Sequence, residues 1–183
     1  AFVAGLKVMC PSTPQDAKGM LKAAIRSDDP VIFLEHRQCY EKKGEVTDDP
    51  EFIVPLGSAD VKRTGKDITI VTYSYMVHFA LEAAEILSEE GIDVEVVDLR
   101  SIKPMDKETV LNSVKKTNRV LCLQETWLTC GVAGEVAAII ADEAFDYLDA
   151  PVKRLGSPDC PAPFSPDLET FVLPSVEGIV KAV

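Results

Sequence analysis

The sequence predicts an α/β fold in three layers, a largely parallel sheet with helices on both faces, and three observations predict it. Apolar runs of strand length alternate with amphipathic stretches of helical period through residues 67–183. The strand runs, Asp67–Tyr73, Asp93–Leu99 and Arg119–Leu123, are apolar along much of their length, the pattern of strands buried on both faces. Helix start and stop residues punctuate the intervals between them. Ligands or partners of such a sheet meet the carboxyl ends of its strands.

Gly5–Cys10 reads as a short strand, after which Thr13 supplies an N-cap, Pro14 the first helical position and Asp16 an acid for the first turn. In the helix that follows, Ala17, Met20, Leu21, Ala24 and Ile25 are expected on the buried face, and Asp28-Asp29-Pro30 ends it. Val31–Leu34 is an apolar run of strand formers that closes a strand–helix–strand unit. Polar, turn-rich sequence then marks a boundary, with residues 1–40 before a linker over 41–66 and a second domain over 67–183. There a helix is expected from Met76 to Glu90, ended by Gly91, and another of about ten residues opened by Pro104 and Asp106. A third starts after Gly131 and runs to about Tyr147; Val152–Leu155 is a strand, a Pro-rich loop follows, and Ser175 caps a closing helix.

Composition removes several function classes. Nineteen basic against thirty acidic residues give net −11, which repels nucleic acid and anionic lipid and favours a basic protein partner. The longest apolar runs, such as Val136–Ala141, fall far short of the roughly 20 residues of a membrane-spanning helix. No basic leader precedes the first apolar stretch, so a secretory signal is not expected and the chain reads as starting inside a fold. Five cysteines, never spaced Cys-x-x-Cys, support neither a disulfide framework nor a zinc site, and reduced thiols fit a bacterial cytoplasm or an organelle interior.

Few motifs carry chemistry. Thr129–Glu135 puts Gly131 and Gly134 at a strand-to-helix turn, where glycines serve either anion binding or, more commonly, tight packing. His36 and His78 have no recognisable nucleophile beside them, and His78, at a helix start, reads as structural. Asp28-Asp29 follows a helix end whose last carbonyls lack intrahelical partners, a place that suits a monovalent cation. From the residues alone the reading stops at an α/β domain of unassigned activity.

Longer motifs carry a resemblance. Gly5-Leu6-Lys7-Val8, Pro11-Ser12-Thr13-Pro14, Asp16-Ala17-Lys18-Gly19, Ala24-Ile25-Arg26 and Pro30–Glu35 resemble the thiamine-diphosphate-dependent 2-oxo acid dehydrogenase beta subunits. So do Val94–Arg100, Pro104, Ser113–Thr117, Gly134-Glu135 and Tyr147–Val152, which look like the transketolase C-terminal domain of that family. Leu148-Asp149-Ala150-Pro151 argues for the dehydrogenases over transketolase and deoxyxylulose phosphate synthase, which share this domain order. Two positions depart from many relatives: Gln124-Glu125 stands where they have His-Glu, and Cys130 where they have a second glycine.

The resemblance implies a transketolase C-terminal domain preceded by the end of a thiamine-binding pyrimidine domain. It implies a heterotetramer of two alpha and two beta chains that decarboxylates a 2-oxo acid, pyruvate ahead of branched-chain substrates, and acylates a lipoyl group. The cofactor-contacting glutamate and catalytic histidine of the family lie before the segment matching Ala1, so no catalytic or cofactor-binding residue is assigned and the fragment alone is expected to be inactive. The family's structural potassium ion is ligated by carbonyls that map to Ala24, Ile25, Ser27 and Asp29; relatives commonly carry Asp at position 27 and Asn at position 29, which changes side-chain contributions but not the backbone carbonyls. Expected partners are the dehydrogenase alpha subunit, a second beta subunit and the basic subunit-binding domain of the dihydrolipoyl acyltransferase core. Asp149 is either a docking acid for that domain or a turn acid before a strand. The implied compartment is a bacterial cytoplasm or a mitochondrial matrix. Two other readings remain: a binding module only, or an unrelated nucleotide- or flavin-binding α/β domain, which the missing glycine fingerprint disfavours.

Overall fold

The computed structural model describes residues 1–183. Its elements are β1 (Lys7–Met9), α1 (Pro14–Ile25), β2 (Val31–Phe33), β3 (Asp60–Arg63), β4 (Ile68–Thr72), α2 (Met76–Glu89), β5 (Val94–Asp98), β6 (Ser101–Lys103), α3 (Lys107–Thr117), β7 (Val120–Trp127), α4 (Val132–Glu143), β8 (Lys153–Ser157), α5 (Pro166–Val172) and α6 (Val176–Ala182). The main sheet has the order β3-β5-β4-β7-β8, with β5, β4, β7 and β8 parallel and β3 antiparallel on the edge. Val71, Val97, Leu99, Val120 and Cys122 bury one face against α3 and α4. Ile68, Ile70, Val94, Val96, Leu121 and Leu123 bury the other against α2 and α6. This is the three-layer α/β arrangement expected from the sequence.

Caps set the helix ends as the sequence implied. Thr13 Oγ1 accepts the Asp16 amide at 3.1 Å, Asp106 accepts that of Thr109 at 3.0 Å, and Ser175 accepts that of Gly178 at 3.1 Å. Asn118 ends α3 in the left-handed region at φ 60°.

Four features depart from the expectation. The buried face of α1 is Asp16, Gly19, Met20 and Ala23, whereas Leu21 and Ile25 are exposed. Apolar periodicity placed the face about one residue too far along, because Asp16 is drawn inward by cationic partners. Gly19 also contributes, since a Cβ there would lie 2.6 Å from the Phe52 ring and 2.7 Å from Val54, so only glycine lets the segment over 52–54 cover the helix. Second, Asp60–Arg63, inside the stretch read as linker, forms edge strand β3, too short and charged to show a strand period. Third, β7 runs on to Trp127, and α5 interrupts the Pro-rich loop.

Strand β6 is the fourth. After Leu99 the chain turns at Arg100, φ 53°, and leaves the main sheet. β6 then pairs antiparallel with β1 in a second sheet of order β2-β1-β6. The N-terminal strand–helix–strand unit is thereby joined to the main domain through backbone hydrogen bonds as well as side chains.

Candidate functional site at the carboxyl edge of the sheet

Strand order reverses between β4 and β7: the chain steps from β4 outward to β5, then returns past β4 to β7 and β8. At such a switch point the connections leave in opposite directions and open a crevice at the strand carboxyl ends. Here it is a cleft of about 330 Å³, lined just after β4 by Tyr73 and Ser74, from β7 by Glu125, Thr126 and Trp127, and closed by residues of the N-terminal unit and of the Pro-rich loop.

His36, on the loop after β2, holds the N-terminal unit to this edge. Its Nδ1 accepts the Gln38 amide at 3.2 Å, which in the neutral ring leaves the proton on Nε2, 3.0 Å from Glu125 Oε2 and 3.2 Å from Oε1. The ring stacks on Tyr75 with centroids 4.9 Å apart. Ser157 Oγ donates to the Glu125 carbonyl at 2.6 Å, fixing the base of the acid. Two other groups at the cleft are poor nucleophiles at neutral pH. Burial, with Asp98 adding to it, pushes the Cys10 thiol up to about 12, and burial likewise raises the Tyr73 phenol to about 12.

Deeper between the two sheets lies an ionic seam. The Asp16 carboxylate at the start of α1 is 2.6 Å from Lys62 Nζ on β3 and 3.1 Å from Arg100 Nη1, and it accepts Thr13 Oγ1 at 2.6 Å. Lys62 also reaches Asp60 at 2.7 Å and faces Asp98, at the end of β5, at 3.9 Å. Asp98 is fully buried, accepts Ser12 Oγ at 2.5 Å and the Arg100 amide at 3.0 Å, and is pushed up to about 7 by burial. Asp16 goes the other way. Burial raises its carboxyl, but hydrogen bonds from Lys62, Thr13 and Arg100 outweigh it and hold the group below its usual value. His78 completes the contact by donating from Nε2 to the Ser12 carbonyl at 2.9 Å, and burial lowers its pKa.

The residues singled out in the sequence lie elsewhere. Ala24, Ile25, Ser27 and Asp29 are brought together in the turn that ends α1. The Ala24 carbonyl already accepts the Ser27 amide at 3.2 Å. Lys7 Nζ sits 3.2 Å from Ser27 Oγ and 2.9 Å from Asp29 Oδ2, so the two side chains with oxygen donors hold an ammonium already. Lys7 thus occupies the side-chain oxygens of this turn, while the backbone carbonyls of Ile25, Ser27 and Asp29 are separate from that contact. Asp149 lies at the opposite, amino-terminal edge of the main sheet, its amide bonded to the Asn118 carbonyl at 2.8 Å and its exposed carboxylate 3.8 Å from Arg119.

The glycine turn before α4 is closed to anions. Gln124 Oε1 accepts the Ala133 amide at 2.6 Å, and Nε2 donates to the Trp127 carbonyl at 2.5 Å. A Cβ on Gly131 would fall 2.0 Å from Gln124 Nε2, so this glycine exists to admit the carboxamide. With that turn filled and neither lysine nor arginine lining the cleft, these residues do not fit a diphosphate.

Comparison with known proteins names the architecture. The transketolase C-terminal domain profile matches residues 57–179, and the transketolase pyrimidine-binding domain profile matches residues 1–43. The chain belongs to the transketolase C-terminal domain family. It is 48% identical over 185 residues to pyruvate dehydrogenase E1 component subunit beta-1, mitochondrial, of Arabidopsis thaliana, covering 100% of this chain and 51% of that one. It is 48% identical over 181 residues to the 2-oxoisovalerate dehydrogenase subunit beta of Bacillus subtilis, covering 98% and 55%. Among solved structures, a split-gene transketolase described as an inactive beta4 tetramer superposes with a TM-score of 0.81 at 29% identity, covering 99% of this chain and 57% of that one. The chain thus spans about half the length of the curated relatives it matches. The relatives come from mitochondria and from bacteria, and no helix here is long and apolar enough to cross a membrane.

Sequence reasoning missed the seam and the His36–Glu125 pair. One signal was available: β5 reads Val-Glu-Val-Val-Asp, and a charged residue in a strand buried on both faces requires a partner. Nothing local indicated that the partners of Asp98 would come from Ser12 and Lys62.

Proposed function

We propose that this chain is the C-terminal part of the beta subunit of a 2-oxo acid dehydrogenase, with pyruvate as substrate and branched-chain 2-oxo acids as the alternative. Its role is subunit assembly and docking of the acyltransferase core. The observation that carries the reading is identity of 48% along the entire chain to a pyruvate dehydrogenase beta subunit. The seam supports it, since it fixes the end of a pyrimidine-binding domain rigidly to the C-terminal domain, as a shared assembly surface requires. Thiamine diphosphate is then held in the assembled enzyme by groups outside this chain. The alpha subunit and a second beta subunit are the partners in assembly, and Asp149 meets the basic subunit-binding domain of the core. The compartment is a bacterial cytoplasm or a mitochondrial matrix.

The turn of Ala24, Ile25, Ser27 and Asp29 is the potassium position of this reading, weak in this chain because Lys7 places an ammonium beside it on the Ser27 and Asp29 side chains. A thermal melt at constant ionic strength tests it: exchanging sodium for potassium is expected to leave the midpoint unchanged, and a clear rise with potassium refutes the weakening.

The test of function is acylation of a lipoyl domain with pyruvate, thiamine diphosphate and the alpha subunit. This chain is expected to give no turnover alone or with the alpha subunit, and to suppress turnover when it competes with an intact beta subunit. Turnover by the chain itself, or no effect in the competition, overturns the proposal.

A further inference from the structure

The proposed assembly role leaves the cleft at the switch point without an assigned use. Its volume of about 330 Å³ reaches the lower end of the ~300–1,000 Å³ range of small-molecule pockets. Its walls are mainly apolar, from Leu34, Tyr73, Trp127 and Val172 among others; its anionic side chains are Glu35 and Glu125, and the His36 ring lines it beside Glu125. Glu125 is held in place by His36 Nε2 and by Ser157 on its carbonyl, and Glu35 accepts the Tyr40 hydroxyl at 2.9 Å. A carboxylate set in an apolar wall attracts a cation more strongly than one in open water, and the half-exposed Trp127 ring offers a cation a second attraction through its face. Anions are disfavoured twice, by the two carboxylates and by Gln124, which occupies the amide of Ala133 at the turn before α4.

We propose that the cleft binds a small organic monocation, an amine or guanidine on an aromatic or branched aliphatic body, with Glu125 as its charge partner and Trp127 and Tyr73 as walls. The cationic head meets the carboxylate, and the body replaces water along Leu34 and Val172. No covalent step is involved. Because the site lies at the carboxyl edge and Asp149 at the amino edge of the same sheet, occupancy of the cleft and docking at Asp149 are separable.

The chain reports on the site itself, since Trp127 is its single tryptophan. The full chain is titrated at constant ionic strength with phenethylammonium, phenethyl alcohol and phenylpropionate while Trp127 emission is followed. Phenethylammonium is expected to give a saturable change, the alcohol to bind about tenfold more weakly and the carboxylate not at all below about 10 mM. Glu125→Gln, which keeps the side-chain shape, should weaken the amine about tenfold and leave the alcohol unchanged. Thr126→Lys, at an exposed position of the lining, should abolish amine binding by placing an ammonium in the cleft. Thermal midpoints of both variants establish that they are folded. Equal binding of all three probes, no saturable response to the amine, or unchanged amine affinity in folded Glu125→Gln overturns the proposal.

Discussion

Replacing Asp16 by asparagine removes one negative charge from the centre of the seam and leaves the side-chain shape unchanged. Asp16 is 2% exposed and faces Lys62 at 2.6 Å and Arg100 at 3.1 Å. Removing one member of a buried ion pair costs about 3–5 kcal/mol, because the remaining charge is left in a low dielectric. Lys62 keeps Asp60 at 2.7 Å, and Arg100 keeps the carbonyls of Ser58 at 2.9 Å and Ala59 at 2.7 Å, so the lower end, about 3 kcal/mol, applies. The loss should also be local. The five-stranded sheet has cores on both faces that do not include α1, whereas α1 is fastened through Asp16, Met20 and the segment over 52–54. Urea unfolding gives the magnitude. Hydrogen exchange gives the location, with α1 amides losing protection while those of β4, β5 and β7 keep theirs. The Asp16–Lys62 coupling can be isolated in a double-mutant cycle with Lys62→Met. A cost under about 1 kcal/mol with α1 protection unchanged refutes the assignment of the seam as the joint between the two parts.

Three further outcomes follow from the same contacts. Asp98 is raised to about 7 in the fold against ~3.9 unfolded, so the folded chain binds more protons between those values and this group costs stability as pH rises through that window. Relative to wild type, Asp98→Asn should gain up to about 4 kcal/mol between pH 4 and pH 8 in chemical denaturation, and a difference that is flat with pH contradicts the buried acid. Gly131→Ala forces the Gln124 carboxamide out, orphaning the Ala133 amide and the Trp127 carbonyl, and a calorimetric melt should register a loss of about 2–4 kcal/mol. Cys130 stands at φ 56° on the surface, so Cys130→Gly should raise stability by about 1 kcal/mol in the same measurement.

Most of the main domain was legible in the sequence because its signals are local. Strand runs apolar on both faces, Asp106 and Ser175 as caps, and Gly91 at a helix end each follow from a few neighbouring residues. What escaped depends on distant partners. β3 is a strand because β5 offers it an edge, and β6 because the chain returns to β1 after Arg100; neither shows a period of its own. The face of α1 was misplaced for the same reason, since counting apolar residues assigns Asp16 to water when two cations from other elements draw it inside. Cys130 shows the converse case. A departure visible only against relatives gains a physical meaning once its backbone is seen in the left-handed region that glycine occupies without strain. The turn of Ala24, Ile25, Ser27 and Asp29 was legible as a place for positive charge, but the charge nearest to it, Lys7, lies twenty residues earlier than Ser27.

The assembly role is tested most directly by titration calorimetry of this chain with a basic subunit-binding domain of an acyltransferase core. Binding is expected, weakening as salt rises because acidic and basic surfaces meet. Asp149→Ala should lower the affinity about tenfold while leaving the thermal midpoint unchanged, since its carboxylate is exposed and 3.8 Å from its nearest cation. No binding, or binding indifferent to Asp149, contradicts the assignment of this chain as a docking partner.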